Sequence, residues 1–217
     1  MTMMNSGELF DVAKEAVASL DGMGERQYIK RKPLVAAAFS ALSCEAFINE
    51  VFALCEPPSP PGWATPPAQL KKLWCTAQSL ERASTLDKYQ EARKALTGKR
   101  YAKGRSPFQD FALLFDVRSA IVHAKPLDET EWVSLSGGTV TSRIRKHHPI
   151  LKKLRSKKLA VKPPRDDSWI IAISTPALGM WACNTAAQMV GSIVCSMPEG
   201  LVKEGLSAWH HKHFVLT

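Results

Sequence analysis

The 217-residue sequence has few cysteines, and no two of them stand in a Cys-X-X-Cys spacing. Five cysteines, an odd number, predict neither a disulfide framework nor a zinc site, and they favour a reducing compartment, the cytoplasm. The amino terminus lacks a basic stretch followed by an apolar run, so no secretory signal is predicted. Twelve glycines and 14 prolines are too few for a fibrous or low-complexity chain. We therefore expect one globular domain over residues 1–217.

Acidic residues are missing from one long stretch of the chain. There is none between Glu131 and Asp166, where ten lysines and arginines occur. The rest of the chain has 19 basic and 20 acidic residues, so the net charge of +9 comes from this segment alone. Such clustering favours a surface that attracts phosphates, whereas the alternative is a solvated loop. The candidate phosphate-binding residues are Arg143, Arg145, Lys146, Lys152, Lys153, Arg155, Lys157 and Lys158.

A smaller basic cluster surrounds Tyr101. Lys99, Arg100, Lys103 and Arg105 lie there, shortly before a predicted helix. They either extend the same phosphate-attracting surface or belong to an ordinary loop, and the sequence leaves both interpretations open.

Apolar residues recur at helical spacing over most of the chain. A threonine cap followed by proline at 175–176 starts a last long helix, which ends near Pro198. Alternating residues around Gly137 and Gly138 predict a β-hairpin, and the run SWIIAIS at 168–174 predicts a strand. We expect a mainly α bundle of four to five helices, with 127–173 as a β-hairpin and basic insertion. The other predicted helices span 7–20, 33–56, 68–82, 85–96 and 108–124.

Residues 168–198 contain no charged side chain, which raises a transmembrane helix as one interpretation. Polar residues such as Asn184 and Gln188 interrupt the apolar character, so a buried core helix explains the stretch better, and no membrane partner is expected. The carboxy-terminal His210, His211 and His213 are expected to lie in a solvated terminus. No phosphate-loop, dinucleotide or zinc-protease motif occurs, and neither a metal site nor a cofactor is predicted.

The predicted helix 108–124 is apolar around most of its circumference, so its polar residues stand out. Asp116, Ser119 and His123 lie three and four residues apart, which places them in one file. Arg118 lies about 140° around the helix from His123. A guanidinium binds a phosphate through two hydrogen bonds, and an imidazole moves a proton near neutral pH. The pair suits metal-independent chemistry on a phosphodiester.

A second polar pair lies in the predicted helix 33–56. Glu45 and Asn49 share a stripe with Leu42 and Phe52, which predicts that both side chains point inward. A buried carboxylate requires a partner. Glu45 would either orient Arg118 or His123, or satisfy a helix terminus or buried amide, and we favour the structural role.

These residues resemble the HEPN superfamily, small helical domains named for higher eukaryote and prokaryote nucleotide binding. The resemblance rests on SALSCEAFINEV at 40–51, on the Arg-X4-His helix FDVRSAIVHAKP at 115–126 and on the order of helices. It covers about residues 7–125 and 174–197. It implies a helical bundle that forms a homodimer, with the Arg-His motifs of both copies in one cleft.

Many members of that superfamily are metal-independent endoribonucleases, frequently toxins or defence effectors. The resemblance implies that Arg118 holds the scissile phosphate of single-stranded RNA and that His123 is the general acid or base. Ser119, Glu45, Asn49 and Asp116 would support them, although active members often carry a larger polar residue at the position of Ser119. An antitoxin-like protein partner fits the same picture. The alternative is a non-catalytic HEPN-like module for RNA or protein binding, in which Arg118 and His123 donate structural hydrogen bonds.

Overall fold

The computed structural model describes residues 4–20, 31–55, 67–124, 149–161 and 169–215, together with the backbone of 132–136 and 139–143. As predicted, the chain is mainly helical. Two short strands, β1 and β2, pair antiparallel with Trp132 opposite Arg143. The elements are α1 (Asn5–Ala18), α2 (Lys32–Leu54), α3 (Ala68–Ser79), α4 (Thr85–Thr97), α5 (Phe108–Val122), β1 (Trp132–Ser136), β2 (Thr139–Arg143), α6 (Pro149–Ser156), α7 (Trp169–Ile173), α8 (Pro176–Val194) and α9 (Leu201–His213).

Helix α2 is central and packs against α1, α5 and α8. Its buried face includes small residues, among them Ala36, Ala37 and Ala41, so neighbouring helices approach its backbone closely. At Gly179 of α8, an added Cβ would lie 3.5 Å from the Ala36 side chain. Among the described residues, α2 alone has the length and hydropathy of a membrane-spanning helix, and half of that apolar stretch is buried in the protein.

Several helix ends follow the signals in the sequence. The Thr175 hydroxyl accepts a hydrogen bond from the Leu178 N–H at 3.1 Å and caps α8, as predicted. Gly98 adopts a left-handed conformation with φ of 77° and ends α4. Helix α8 buries ten of its residues and is the core helix that the uncharged stretch predicts.

Two predictions near the carboxyl end are wrong. The predicted strand at 168–174 is helix α7, because Trp169, Ala172 and Ile173 lie at helical spacing and are buried together. The predicted solvated terminus is helix α9. Its last residue, His213, is only 7% exposed, and its Nδ1 lies 2.7 Å from Asp11 Oδ2. The Phe214 ring stacks on Phe10 of α1, which explains why this terminus is ordered.

The described part of the basic segment contains a folded element. Helix α6 is amphipathic, with Ile150, Leu151 and Leu154 buried against α5 and α7, and its lysines lie on the solvent side. This arrangement excludes a wholly solvated loop for residues 149–156, since three apolar side chains anchor them to the core.

Candidate functional site

The candidate Arg-His pair lies at the carboxyl end of α5, where this helix leaves the core. Leu114 and Val117 are fully buried, but Val122 is 55% exposed, and Ser119 and His123 are also exposed. The prediction that most of the helix circumference faces the core therefore holds for the first three turns and is wrong for the last one. Because the last turn of α5 leaves the core, His123 lies at the surface.

The side chains of Arg118 and His123 have no hydrogen bond or ion pair with the residues that the structure describes. Arg118 is half-buried, and it lies between Phe115 and Val122 on one stripe of α5. His123 follows the last residue of the helix, and its backbone N–H donates to the Ser119 carbonyl at 2.9 Å. Neither side chain is committed to a structural contact within the described part of the molecule.

Asp116 does not pair with His123, the other end of its predicted file. Its Oδ2 lies 2.8 Å from Lys153 Nζ on α6, and both side chains are more than half exposed. An exposed ion pair of this kind adds little stability. The pair shows that α6 lies beside this part of α5.

The structure separates the second predicted pair from the first. Tyr89 donates a hydrogen bond to the Cys44 carbonyl at 3.1 Å, and its ring packs on Phe111 with 4.6 Å between centroids. Cys44 and Phe111 thus contact the same tyrosine, and Phe111 precedes Arg118 by seven residues, or about 10 Å along α5. Glu45, the neighbour of Cys44, is half-buried and has no described hydrogen bond to Arg118 or His123.

The prediction that Asn49 points inward is wrong. Its side chain is exposed and accepts a hydrogen bond from Lys88 Nζ at 2.8 Å. Asn49 lines an open cavity of about 560 Å³ between α2, α3 and α4. An amide at that position is solvated and needs no buried partner.

The candidate phosphate-binding residues fall into three groups. Lys153 and Lys157 are engaged with aspartates of α5, since Lys157 Nζ lies 2.6 Å from Asp110 Oδ1. Lys152 and Lys158 are exposed without a described partner, whereas Arg155 is half-buried and its Nε and Nη2 atoms have no hydrogen-bond partner. The side chain of Arg143 and all of Arg145 and Lys146 lie outside the described residues.

Asp110 is a functional candidate that sequence reasoning missed. It accepts a hydrogen bond from the Ser106 hydroxyl at 2.8 Å and forms an ion pair with Lys157. Partial burial acts to raise the pKa of Asp110, but its bonds to Lys157 and Ser106 outweigh burial and hold that pKa below its usual value. In sequence, Asp110 is an ordinary acid in a first helical turn, and its pairing with a residue 47 positions away leaves no local signal.

The loop around Tyr101 is firmly attached to the bundle. The Gln90 side chain accepts a hydrogen bond from the Tyr101 N–H at 2.8 Å and donates one to the Tyr101 carbonyl at 3.2 Å. The Tyr101 hydroxyl lies 2.5 Å from Ser192 Oγ, and burial raises the pKa of this phenol. The basic residues of the loop are therefore displayed from a fixed backbone and are all exposed.

Helices α2 and α5 also leave apolar side chains incompletely covered. Val35 and Leu42 lie seven residues apart on one face of α2, and Phe115 and Val122 have the same spacing on α5. The two helices pack against each other. The side chain of Arg118 extends from within the α5 stripe.

No family model matches the chain, and neither a curated protein nor a solved structure is significantly similar to it. Within the described residues there is also no group of three or more histidine, cysteine, aspartate or glutamate side chains that could hold a metal ion.

Proposed function

We propose that this protein is a HEPN-like, metal-independent endoribonuclease that acts as a homodimer on single-stranded RNA in the cytoplasm, as a toxin or defence effector. The observation that carries the proposal is the position of Arg118 and His123. Both lie at the open end of α5 without a described structural partner. A guanidinium and an imidazole left free at a surface are available to a phosphodiester.

The direction of the two side chains supports the dimer. Five residues of helix separate Arg118 from His123 by about 140°, so the two groups diverge within one chain. A second copy that covers the stripes of α2 and α5 would bring another Arg118 and His123 to the same cleft. The half-exposed Phe115 and the exposed Val122 supply apolar area for such an interface.

The chemistry uses groups that the chain itself carries. Arg118 binds the non-bridging oxygens of the scissile phosphate and stabilises the charge that develops there. His123 of one copy removes the proton of the 2′-hydroxyl, whose oxygen attacks phosphorus, while His123 of the other copy protonates the leaving 5′-oxygen. The products are a 2′,3′-cyclic phosphate and a 5′-hydroxyl. No redox step or co-reactant is required.

The test is cleavage of single-stranded RNA in EDTA by the wild type, Arg118→Ala and His123→Ala. We expect both substitutions to abolish cleavage and to change stability by less than about 0.5 kcal/mol, because neither side chain has a described structural bond. Arg82→Ala and His211→Ala, which remove the same residue types from exposed positions, are matched controls and should cleave normally.

Cleavage that survives either active-site substitution, or a wild type that never cleaves, would contradict the proposal. A wild type that binds RNA without cleaving it, combined with a large loss of melting temperature in His123→Ala, would support the non-catalytic module instead. If the protein stays monomeric at micromolar concentration, the proposed cleft shared by two copies is contradicted.

A further inference from the structure

The two basic clusters of the sequence meet in space at Asp110. The loop that carries Lys103 and Arg105 ends at Ser106, whose hydroxyl donates to Asp110 Oδ2 at 2.8 Å. The carboxyl end of α6 reaches the same carboxylate through Lys157 Nζ, at 2.6 Å from Oδ1. Residues about 50 positions apart in the chain therefore flank one aspartate.

Helix α6 lies antiparallel to α5, so its carboxyl end is at Asp110 and its start lies towards the His123 end of α5. Its Lys157 pairs with Asp110, and Lys153, one turn earlier, pairs with Asp116, which lies about 9 Å further along α5. Near the start of α6, Ile150 belongs to the same apolar cluster as Ile121 at the end of α5. The basic helix thus connects the Tyr101 loop with the exposed end of α5.

Most of the charge on this path is not neutralised by described residues. The loop, α6 and the two residues that follow α6 together carry nine lysines and arginines, of which three form ion pairs: Arg100 with Glu91, Lys153 with Asp116 and Lys157 with Asp110. Six others have no described acidic partner, and five of these are exposed. The six residues are Lys99, Lys103, Arg105, Lys152, Lys158 and the half-buried Arg155.

We propose that the Tyr101 loop and α6 form one continuous track for the phosphate backbone of RNA, which leads from Lys103 and Arg105 along α6 to His123. Lys153 and Lys157 lie within this track but are paired with Asp116 and Asp110, so the cations without a described acidic partner are the ones assigned to the phosphates. The proposal takes its ligand, RNA, from the proposed function, and it enlarges the binding surface beyond the basic segment.

The length and chemistry of the track favour a polynucleotide. Helix α5, along which it runs, spans 15 residues or about 22 Å, over which one strand of a duplex places about six phosphates. The exposed cations come from both a loop and a helix, so they contact a backbone of regular charge and do not enclose a small anion. Sequence-independent binding with strong salt dependence is expected.

The experiment measures binding of a fluorescent 20-nucleotide 2′-O-methyl RNA, which lacks the attacking hydroxyl and stays intact. Three double variants are compared: Lys103→Ala with Arg105→Ala in the loop, Lys152→Ala with Lys158→Ala in α6, and Lys71→Ala with Lys72→Ala on α3. The last pair is exposed and changes the net charge equally, so it is the matched control.

Each phosphate contact to a single strand contributes about 0.7 to the slope of log affinity against log salt. We expect the loop pair and the α6 pair each to lower this slope by about 1.4 and to weaken binding about 25-fold at 0.1 M salt. The α3 pair should change affinity less than threefold. Circular dichroism should show unchanged melting temperatures, because all six side chains are exposed.

Equal losses of RNA affinity for all three double variants would show that only the net charge matters, and would contradict the track. So would a loop pair that binds like wild type, since the two clusters would then not form one surface. Displacement by polyglutamate as efficient as by RNA would point to an acidic protein and also contradict the proposal. Track-dependent binding without any RNA cleavage would remove the proposed endoribonuclease and leave the track supported.

Discussion

Glu50 of α2 caps the start of α1, and its replacement by alanine should destabilise the fold clearly. Its carboxylate accepts hydrogen bonds from the Asn5 N–H at 2.6 Å and the Ser6 N–H at 3.1 Å, and the Ser6 hydroxyl donates a further one. The residue before α1, Met4, supplies no side-chain cap. The free N–H groups of this helix start therefore depend on a side chain 44 positions away.

The magnitude follows from what Glu50→Ala removes. Loss of a helix cap costs about 0.5–2 kcal/mol, and a negative charge near a helix amino terminus contributes about 0.3–1 kcal/mol. The fully buried Ser6 hydroxyl also loses its partner. Because Glu50 is itself half-exposed, we expect a total loss of about 2 kcal/mol, which lowers the melting temperature by about 4–8 °C.

The assay is urea unfolding followed by circular dichroism. Glu45→Ala is the matched control, since it removes the same side chain from a half-buried position of the same helix that has no described hydrogen bond. It should cost less than about 0.5 kcal/mol. Equal effects of the two substitutions, or a loss below about 0.5 kcal/mol for Glu50→Ala, would refute this account of how α1 is held.

Two further predictions concern the carboxyl-terminal helix and the thiols. Burial acts to raise the pKa of Asp11, but its bonds to Lys14 and His213 outweigh burial and lower that pKa. A lowered carboxyl pKa stabilises the fold above the unfolded value of about 3.9, and this contribution is lost as the pH falls through the folded-state value. Asp11→Asn should therefore destabilise the protein at pH 7 and have no effect near pH 2; a constant difference between those pH values would contradict this. All five cysteines are free, and only Cys75 and Cys195 are exposed, so a thiol reagent should modify two per native chain and five after unfolding. Burial raises the pKa of two of the others to about 12, and rapid reaction of more than two thiols would show that the core opens.

Local signals in the sequence were sufficient for most helices. The cap at Thr175 and the stop at Gly98 act within one turn of chain, so they are readable without any knowledge of the fold. The five-residue run at 169–173 is different, because a short apolar stretch fits both a strand and a helix. Its burial at helical spacing decided between them.

Predictions for the site were limited in the same way, because burial depends on packing between distant parts of the chain. Periodicity placed Arg118 and His123 on one helix, but it could not show that the last turn of α5 leaves the core. It also placed Asn49 inward, although this side chain lines an open cavity between α2, α3 and α4. Whether a stripe is buried depends on which neighbour packs on it, and that neighbour lies elsewhere in the chain.

The sequence by itself determined the mainly helical class and the concentration of the excess charge in one segment, because both are properties of neighbouring residues. Only the tertiary structure decided that α6 packs on α5, with ion pairs to Asp110 and Asp116, and that the Tyr101 loop meets it there. The tertiary structure also showed that the predicted solvated terminus is helix α9, and that Phe214 after it stacks on Phe10 of α1. Contacts between residues far apart in the chain form only when the helices pack, and no local pattern encodes them.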